Sequence, residues 1–277
     1  MLPIAIMQGR ISPPSGDRLQ FFPADWAAEF PLAKKIGFSG ITWFFDRDAP
    51  GHDPLRVWAD VPTLARIDAA RDILPIDSID CGRCTLFGFA AARTEEELTA
   101  VLPALAQRLS SRTMVIPMLL EGAPRSPAER AEATEVLGRL LSKAVPLGLR
   151  FALETEMPAD ELADFVDSFS SPALGACYDI GSATAYGFDC PADIVRLHER
   201  VFSVHLKDHK KGDRIGTDPS VPLGTGDADF RGCFAALNSI RYQGSCTLQA
   251  WRGADYLGAA AAQLAFAQRQ LSNAYGN

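Results

Sequence analysis

The sequence predicts an α/β protein built as a single (β/α)8 barrel that spans residues 1–277. Short apolar runs of strand length alternate with longer amphipathic stretches of helical length, and we count eight of each. The short runs are apolar at nearly every position, which is typical of parallel strands that are covered on both faces. The length of 277 residues is also typical of one such barrel.

The predicted strands follow one another at regular intervals along the chain. They cover residues 3–9, 40–45, 76–81, 113–119, 149–156, 174–181, 201–208 and 244–251. A doubly wound sheet is the structural alternative, but it would carry a glycine-rich G-x-G-x-x-G turn after its first strand. The segment that follows strand one reads MQGRISPPSG and lacks that motif, so we rank the barrel first.

The predicted helices separate these strands. They cover residues 25–38, 53–73, 94–109, 126–148, 159–169, 191–200, 229–240 and 256–271. Pro62 interrupts the second of them, since a proline is tolerated only in the first turn of a helix. Thr94 is the expected N-cap of the third helix, with Glu97 completing a capping box. Ser126 caps the fourth helix, and Pro127 takes its first position.

The composition excludes some classes of binding partner and indicates a cellular compartment. The net charge of −7 and the pI of about 5.2 argue against a nucleic-acid partner, which requires clustered lysine and arginine. No stretch approaches the roughly 20 apolar residues of a membrane helix, and the N-terminus looks like a first strand and not a signal peptide. The six cysteines lie mostly in apolar contexts and indicate a reducing cytoplasm. The C-x-x-C at 81–84 could be a redox pair or half of a zinc site, but no second pair completes a zinc site, and we favour two structural cysteines near a strand end. Formation of a homo-oligomer stays open.

Polar residues cluster at the ends of the last four predicted strands. Glu154, Asp179, His205 and Gln249 end strands five to eight. The carboxyl ends of barrel strands converge on one mouth, where the chemistry of such barrels takes place. Two carboxylates and an imidazole suit one divalent ion, such as Mn²⁺, Mg²⁺, Co²⁺ or Zn²⁺. We therefore predict that these four residues form a metal site.

Further polar and aromatic residues are candidates for binding a small substrate. Lys207 lies two residues after His205, and with Lys210 and the glycines at 224 and 226 it could hold a phosphate through ammonium and backbone N–H groups. A solvated loop is the alternative for this basic run. The other candidates are Arg10 for an anionic group, Glu156 beside Glu154, and Trp43 and Trp251 as apolar walls, for which core packing is equally plausible.

The segments ALETE, CYDIGSA, VHLKD, PLGTGDADF and LQAW, together with MQGR near the N-terminus, resemble the xylose-isomerase-like barrel family of sugar and sugar-phosphate isomerases and epimerases. The resemblance is greatest to the ketose- and pentulose-phosphate 3-epimerases. It implies four metal ligands, a Glu, an Asp, a His and a second Glu, at Glu154, Asp179, His205 and Gln249. It also implies that the two glutamates act as paired acid–base groups on opposite faces of the substrate, while the metal stabilises an enediolate.

Gln249 departs from this pattern. Its amide oxygen can bind a metal, but it cannot exchange a proton near neutral pH, and the site has one negative charge fewer, so metal affinity should fall. Three functions do not need a second base and remain open: one-base isomerisation by Glu154, metal-assisted elimination and binding without turnover. Thr42 stands where the family often has a glutamate, and Ser182 where free-ketose epimerases often carry a histidine.

We therefore expect a metal-dependent isomerase or epimerase of a sugar or sugar phosphate, with Glu154 as its catalytic base. The alternative is a barrel that binds a sugar phosphate without turning it over. A phosphodiesterase like the DNA-repair endonucleases of the same superfamily ranks last, because those sites need more histidines than the four in this chain.

Overall fold

The structure is a computed structural model that describes residues 2–13, 21–46, 57–58, 60–82, 84 and 92–276. Its strands form a closed, wholly parallel barrel in the order of the chain. The first and last strands close the barrel, with Ile4 beside Cys246 and Ile6 beside Leu248. The predicted (β/α)8 fold is confirmed.

The eight barrel strands lie close to their predicted positions. They are β1 Ile4–Met7, β2 Gly40–Phe44, β3 Ile76–Asp80, β4 Leu109–Met118, β5 Arg150–Thr155, β6 Leu174–Asp179, β7 Val201–Leu206 and β8 Cys246–Leu248. The fourth strand begins four residues earlier than predicted. The last strand is shorter than predicted, although the Gln249 N–H still donates to the carbonyl of Leu206 at 3.0 Å.

The helices of the described part of the chain surround the barrel. They are α1 Glu29–Ile36, α2 Val61–Ile73, α3 Ala92–Arg108, α4 Pro127–Ala144, α5 Ala159–Asp167, α6 Ile180–Ala185, α7 Cys190–Leu197, α8 Phe230–Ser239 and α9 Tyr256–Tyr275. None of the helices within these ranges has the length and apolar character needed to cross a membrane.

One predicted helix start is confirmed and one is wrong. The predicted start of the second helix, at residue 53, lies outside the described residues. The helix α2 begins at Val61, where the Asp60 side chain accepts the N–H of Thr63 and the missing N–H of Pro62 costs nothing. Ser126 and Glu129 form a reciprocal capping box at the start of α4. In contrast, α3 begins at Ala92, so Thr94 lies inside its first turn and is not the N-cap.

The short helix α6 was not predicted, and it fixes the end of β6. The Asp179 carboxylate accepts the Ser182 N–H at 2.8 Å, so the aspartate ends the strand and caps the helix, two residues before the predicted strand end. A Cβ atom at Gly181 would lie 2.7 Å from the carbonyl carbon of Lys207. Only glycine therefore allows α6 to approach the end of β7 so closely.

The main hydrophobic core lies between the barrel and the helices, and Trp43 belongs to it. Its ring centroid lies 5.0 Å from that of Trp26, 5.3 Å from Phe22 and 5.4 Å from Trp58, and its side chain is fully buried. Successive strand residues point to opposite faces, and the neighbouring Thr42 points into the barrel. The prediction that Trp43 walls a substrate pocket is therefore wrong.

The interior of the barrel is lined by small and hydroxyl side chains. Val115, Ala152 and Cys177 form a small apolar cluster there. The Thr42 hydroxyl lies 3.1 Å from that of Ser78 and 2.7 Å from that of Thr247. This hydroxyl chain joins β3, β2 and β8 and forms a polar floor beneath the mouth of the barrel.

All six cysteines are buried and reduced. The Cys84 thiol lies 3.1 Å from the sulfur of Cys81, and neither side chain is exposed. Both residues belong to the hydrophobic core. Their packing agrees with the structural interpretation of the C-x-x-C pair.

Candidate active site

A glutamate and a histidine meet at the carboxyl ends of β5 and β7. Glu154 Oε1 lies 3.6 Å from His205 Nδ1, and the two residues are 5% and 0% exposed. Neither ring nitrogen of His205 has a hydrogen-bond partner among the described residues. Buried polar atoms usually have a hydrogen-bond partner, so an imidazole whose two nitrogens lack one is placed to contact a ligand.

Asp80, at the end of β3, completes a group that the sequence did not lead us to. One carboxylate oxygen each from Asp80 and Glu154 and one nitrogen of His205 all lie within 4.8 Å of one another. All three residues are buried. Ligands that share an ion at bonds near 2 Å lie at comparable separations, so this cluster has the dimensions of a metal site.

Asp179 stands beside this group, since it is paired with His205 across β6 and β7. One of its oxygens caps α6, and the other lies 3.7 Å from the Lys207 ammonium and has no hydrogen bond within the described structure. Burial opposes the ionisation of Asp179. The charge of Lys207 and the N–H of Ser182 outweigh that effect and lower its pKa.

Gln249 follows β8 and is 5% exposed. Its main-chain carbonyl accepts a hydrogen bond from the Arg10 guanidinium at 2.8 Å. Its side-chain oxygen is buried without a hydrogen-bond partner in the described part of the chain. The amide oxygen is thus available to act as a ligand, and its role as a metal ligand stays a prediction.

The crowding of carboxylates perturbs the acid–base properties of the site. Burial raises the pKa of Asp80 to about 7; His205 opposes this rise and the charges of Glu154 and Asp179 add to it. Burial also raises the pKa of Glu154, against the attraction of His205. Burial disfavours a charged His205, but the adjacent Cys177 and Glu154 favour it strongly enough that its pKa lies well above the usual value.

The residues fit a divalent ion. Two carboxylates and an imidazole are brought together in the mouth. Several possible ligand atoms here lack hydrogen-bond partners among the described residues: both nitrogens of His205, one oxygen of Asp179 and the amide oxygen of Gln249. A divalent cation would satisfy these atoms and offset the repulsion between the carboxylates.

Arg10 is held at the mouth by a fixed turn after β1. The Gly9 N–H donates to both carboxylate oxygens of Glu29, at 3.0 and 3.1 Å, and the Ser12 hydroxyl donates at 2.8 Å. Arg252 donates to the Gly9 carbonyl at 2.6 Å. Burial lowers the pKa of Arg10 to about 9, with a smaller effect from Arg252, while Asp80 and Asp179 act in the opposite direction. Arg10 therefore lies in the field of the site carboxylates.

The loop that was predicted to bind phosphate is bound by the protein's own Asp208. This buried carboxylate accepts the N–H groups of Gly224 at 2.8 Å, Gly226 at 2.9 Å and Ala228 at 3.2 Å. The two glycines therefore direct their N–H groups into the protein, which contradicts their predicted role as phosphate donors. The Lys210 ammonium lies 3.4 Å from Asp227 on the exposed part of this loop.

Two other predicted substrate residues lie beside the mouth. Glu156 accepts the Leu120 N–H at 2.8 Å and forms a 3.0 Å ion pair with Arg125, so it joins two loops. Trp251 is partly exposed, and its contact with substrate stays a prediction. A small cavity of about 20 Å³ lies beside Glu154 and Asp179. The hydroxyl groups of Ser182 and Tyr186, two of its lining residues, lack hydrogen-bond partners among the described residues.

Comparison with known proteins identifies relatives of this chain. SgbU of Escherichia coli (strain K12), named provisionally as an L-ribulose-5-phosphate 3-epimerase, is 33% identical over 87 residues, which cover 31% of this chain and 30% of that protein. The match thus spans less than a third of the relative's length.

Solved structures resemble the whole chain. An L-ribulose 3-epimerase superimposes with a TM-score of 0.74 at 16% identity and covers 99% of this chain and 96% of its own. A xylose isomerase-like TIM barrel protein from Mycobacterium smegmatis in complex with magnesium gives 0.71 at 20% identity, with 99% and 97% covered. These similarities concern the fold. The profile of the xylose isomerase-like TIM barrel family matches residues 30–270, and the chain belongs to that family.

Proposed function

We propose that this protein is a divalent-metal-dependent isomerase or epimerase that moves a proton on the carbon beside the carbonyl of a sugar or sugar phosphate. The observation that carries the proposal is the buried group of Asp80, Glu154 and His205 at the mouth of the barrel. The relative SgbU bears the name of a sugar-phosphate 3-epimerase, and a magnesium complex occurs within the same fold.

The residues that would hold the ion are Glu154 and His205, with Asp80, Asp179 and Gln249 around them. When bound there, a divalent ion would polarise the carbonyl and the adjacent hydroxyl of the sugar. Mn²⁺, Mg²⁺, Co²⁺ and Zn²⁺ are all compatible with this mixed set of oxygen and nitrogen donors.

Glu154 is the proposed base. Its carboxylate is buried and raised in pKa, which brings it toward the value at which a general base works best near neutral pH. The proton that it removes can return to the adjacent carbon on the same face, which yields an isomer through an enediolate. Gln249 has no proton to exchange, so a two-base epimerisation would need another group on the far face.

The mouth of the barrel beside Glu154 is the proposed place for the sugar. The hydroxyl groups of Ser182 and Tyr186 offer hydrogen bonds there, and Lys207 and Arg10 contribute positive charge at the mouth. Lys207 is the group that we retain for a phosphate, since Asp208 occupies the loop glycines. The six cysteines are buried and form no disulfide, which supports work in a reducing cytoplasm.

Solvent-deuterium exchange tests the proposal. The protein, loaded with Mn²⁺, is incubated in D₂O with a panel of ketoses and ketose phosphates, and deuterium at the carbon beside the carbonyl is measured by NMR. We expect exchange in the wild type and a loss of about 10²- to 10⁴-fold in Glu154→Gln, which removes one positioned base. Glu156→Gln is the matched control on the same strand, because Glu156 holds Leu120 and Arg125, and it should retain exchange.

Binding without turnover is the second candidate function, and Gln249 is the observation that favours it. Melting-temperature shifts with the same sugars, combined with no exchange in wild type or Gln249→Glu, would support it and would contradict the isomerase proposal. A ligand that binds only the folded state raises its stability whether or not it reacts.

A further inference from the structure

The ligand set implied by the family resemblance uses β5, β6, β7 and β8, but the carboxylates and the imidazole that meet within the reach of one ion come from β3, β5 and β7. Side chains in a barrel of this kind form layers, and each layer takes its members from alternate strands. Asp80, Glu154 and His205 come from three alternate strands and meet within 4.8 Å. Asp179 and Gln249 come from β6 and β8, which belong to the other set.

The position of Asp80 is set by hydrogen bonds of the preceding residue on the same face of β3. Ser78 lies two residues earlier on the same face of β3 and is hydrogen-bonded to Thr42, which is bonded in turn to Thr247. Gln249 lies two residues after Thr247. Asp80 and Gln249 therefore each lie two residues after a member of the same hydrogen-bonded hydroxyl chain, Asp80 on β3 and Gln249 after β8.

The charges also indicate a role for Asp80. Gln249 leaves the predicted ligand set with one carboxylate fewer, and Asp179 is partly neutralised by Lys207 at 3.7 Å and by the cap of α6. Asp80 is 2% exposed and is placed against Glu154 and His205. A third carboxylate buried beside two others is unfavourable unless a cation offsets it.

We propose that Asp80 replaces the missing glutamate of β8 as an anionic metal ligand, so that Asp80, Glu154 and His205 hold the ion across the barrel. This inference rests on the proposed metal-dependent function and assigns its ligands. Gln249, whose side-chain oxygen is buried without a partner among the described residues, would contribute an uncharged oxygen.

A structural role for Asp80 as a partner of Arg10 is the rival explanation, since the charge of Asp80 opposes the lowering of that arginine's pKa by burial. The two roles differ in their dependence on metal. A ligand affects the affinity for the ion, whereas a counter-ion of Arg10 affects stability equally with and without it.

Titration calorimetry with Mn²⁺ on the metal-free protein tests the assignment. We expect Asp80→Asn to weaken binding by at least about tenfold, since even groups one shell away from a metal change its affinity by about 10- to 100-fold. Asp77→Asn is the matched control. Asp77 lies on the same strand but accepts a hydrogen bond from Ser245 at 2.6 Å, and that variant should bind Mn²⁺ as the wild type does.

A second experiment restores the lost negative charge with a carboxylate at position 249, after β8. In the double variant Asp80→Asn/Gln249→Glu, the carboxylate on β8 should recover most of the lost affinity. Melting curves of the metal-free variants distinguish a folding defect from a lost ligand. Unchanged Mn²⁺ affinity in folded Asp80→Asn would overturn the inference, as would a failure of Gln249→Glu to restore it.

The outcome is separable from that of the proposed function. A wild type that exchanges substrate protons while Asp80→Asn binds Mn²⁺ normally would refute only the ligand assignment. A wild type that binds Mn²⁺ through Asp80 but exchanges no proton on any sugar would refute only the isomerase. A wild type that binds no divalent ion would refute both.

Discussion

Replacement of Glu29 with glutamine should change how the stability of the protein depends on pH. Glu29 begins α1, is 1% exposed and accepts hydrogen bonds from the turn that carries Arg10. Burial raises its pKa to about 7 from the ordinary 4.5, although the hydrogen bonds of Ser12, Gly9 and Ile11 and the charge of Arg252 oppose this rise. The folded chain therefore keeps this proton at pH values where the unfolded chain has released it.

The sign and size of the effect follow from this difference. The folded pKa is raised, so the stability contribution is fully present below about pH 4.5 and is lost as pH rises through 7. The difference between 7 and 4.5, at 1.36 kcal/mol per pH unit, amounts to about 3 kcal/mol. Between pH 5 and pH 8 the wild type should lose about 2.5 kcal/mol of unfolding free energy through this group.

Urea unfolding of wild type and Glu29→Gln at pH 5, 6, 7 and 8 measures this term, because the other titrating groups cancel in the difference between the two proteins. Glutamine does not titrate, so the variant should gain about 2.5 kcal/mol relative to the wild type over this range. Glu132→Gln, on the exposed face of α4, is the control and should show no such trend. A difference between wild type and Glu29→Gln that stays constant with pH would refute the reasoning.

Three further predictions concern the mouth of the barrel. Gln249→Glu should bind Mn²⁺ more tightly in calorimetry and should gain 3-epimerase activity by up to about 10²- to 10⁴-fold, since it adds a positioned acid or base; a slower Gln249→Glu beside an efficient wild type would contradict this. If Lys207 binds phosphate, a ketose phosphate should raise the melting temperature more than its free sugar, and Lys207→Ala should remove that difference; equal shifts in the wild type would argue against it. Asp208→Asn should lower the unfolding free energy by at least about 1.5 kcal/mol, since hydrogen bonds to charged groups contribute about 1.5 to 3 kcal/mol. The same variant should be cleaved faster by proteases within residues 209–228. An unchanged cleavage rate would show that other contacts hold the loop.

The barrel and much of its mouth could be predicted because both depend on local pattern. Apolar runs give the strands, and the convergence of their carboxyl ends places Glu154, Asp179 and His205 together. Asp80 has a similar signature, a carboxylate near the end of the predicted strand IDSIDC. It was missed because the resemblance directed attention to strands five to eight, and a sequence does not reveal which strand ends lie within reach of one ion.

Two errors have a different physical origin. The strand GITWFF is buried on both faces, so no alternation of polar and apolar residues indicates which way Trp43 points. The glycines at 224 and 226 have the spacing of an anion-binding loop, but the anion is a side chain sixteen residues before the first of them. A contact over that distance leaves no trace in local sequence.

The anchoring of the loop by Asp208 has a consequence for the thermodynamics of ligand binding. The backbone of residues 224–228 is held before any ligand arrives, because one buried carboxylate accepts three of its N–H groups. A sugar that enters the mouth therefore does not lose free energy to ordering this segment, and ordering of side chains and loops is a main cost of association. Ordering of residues 224–228 should therefore add nothing to the heat-capacity change of binding, and this segment should contribute no slow closure step to association.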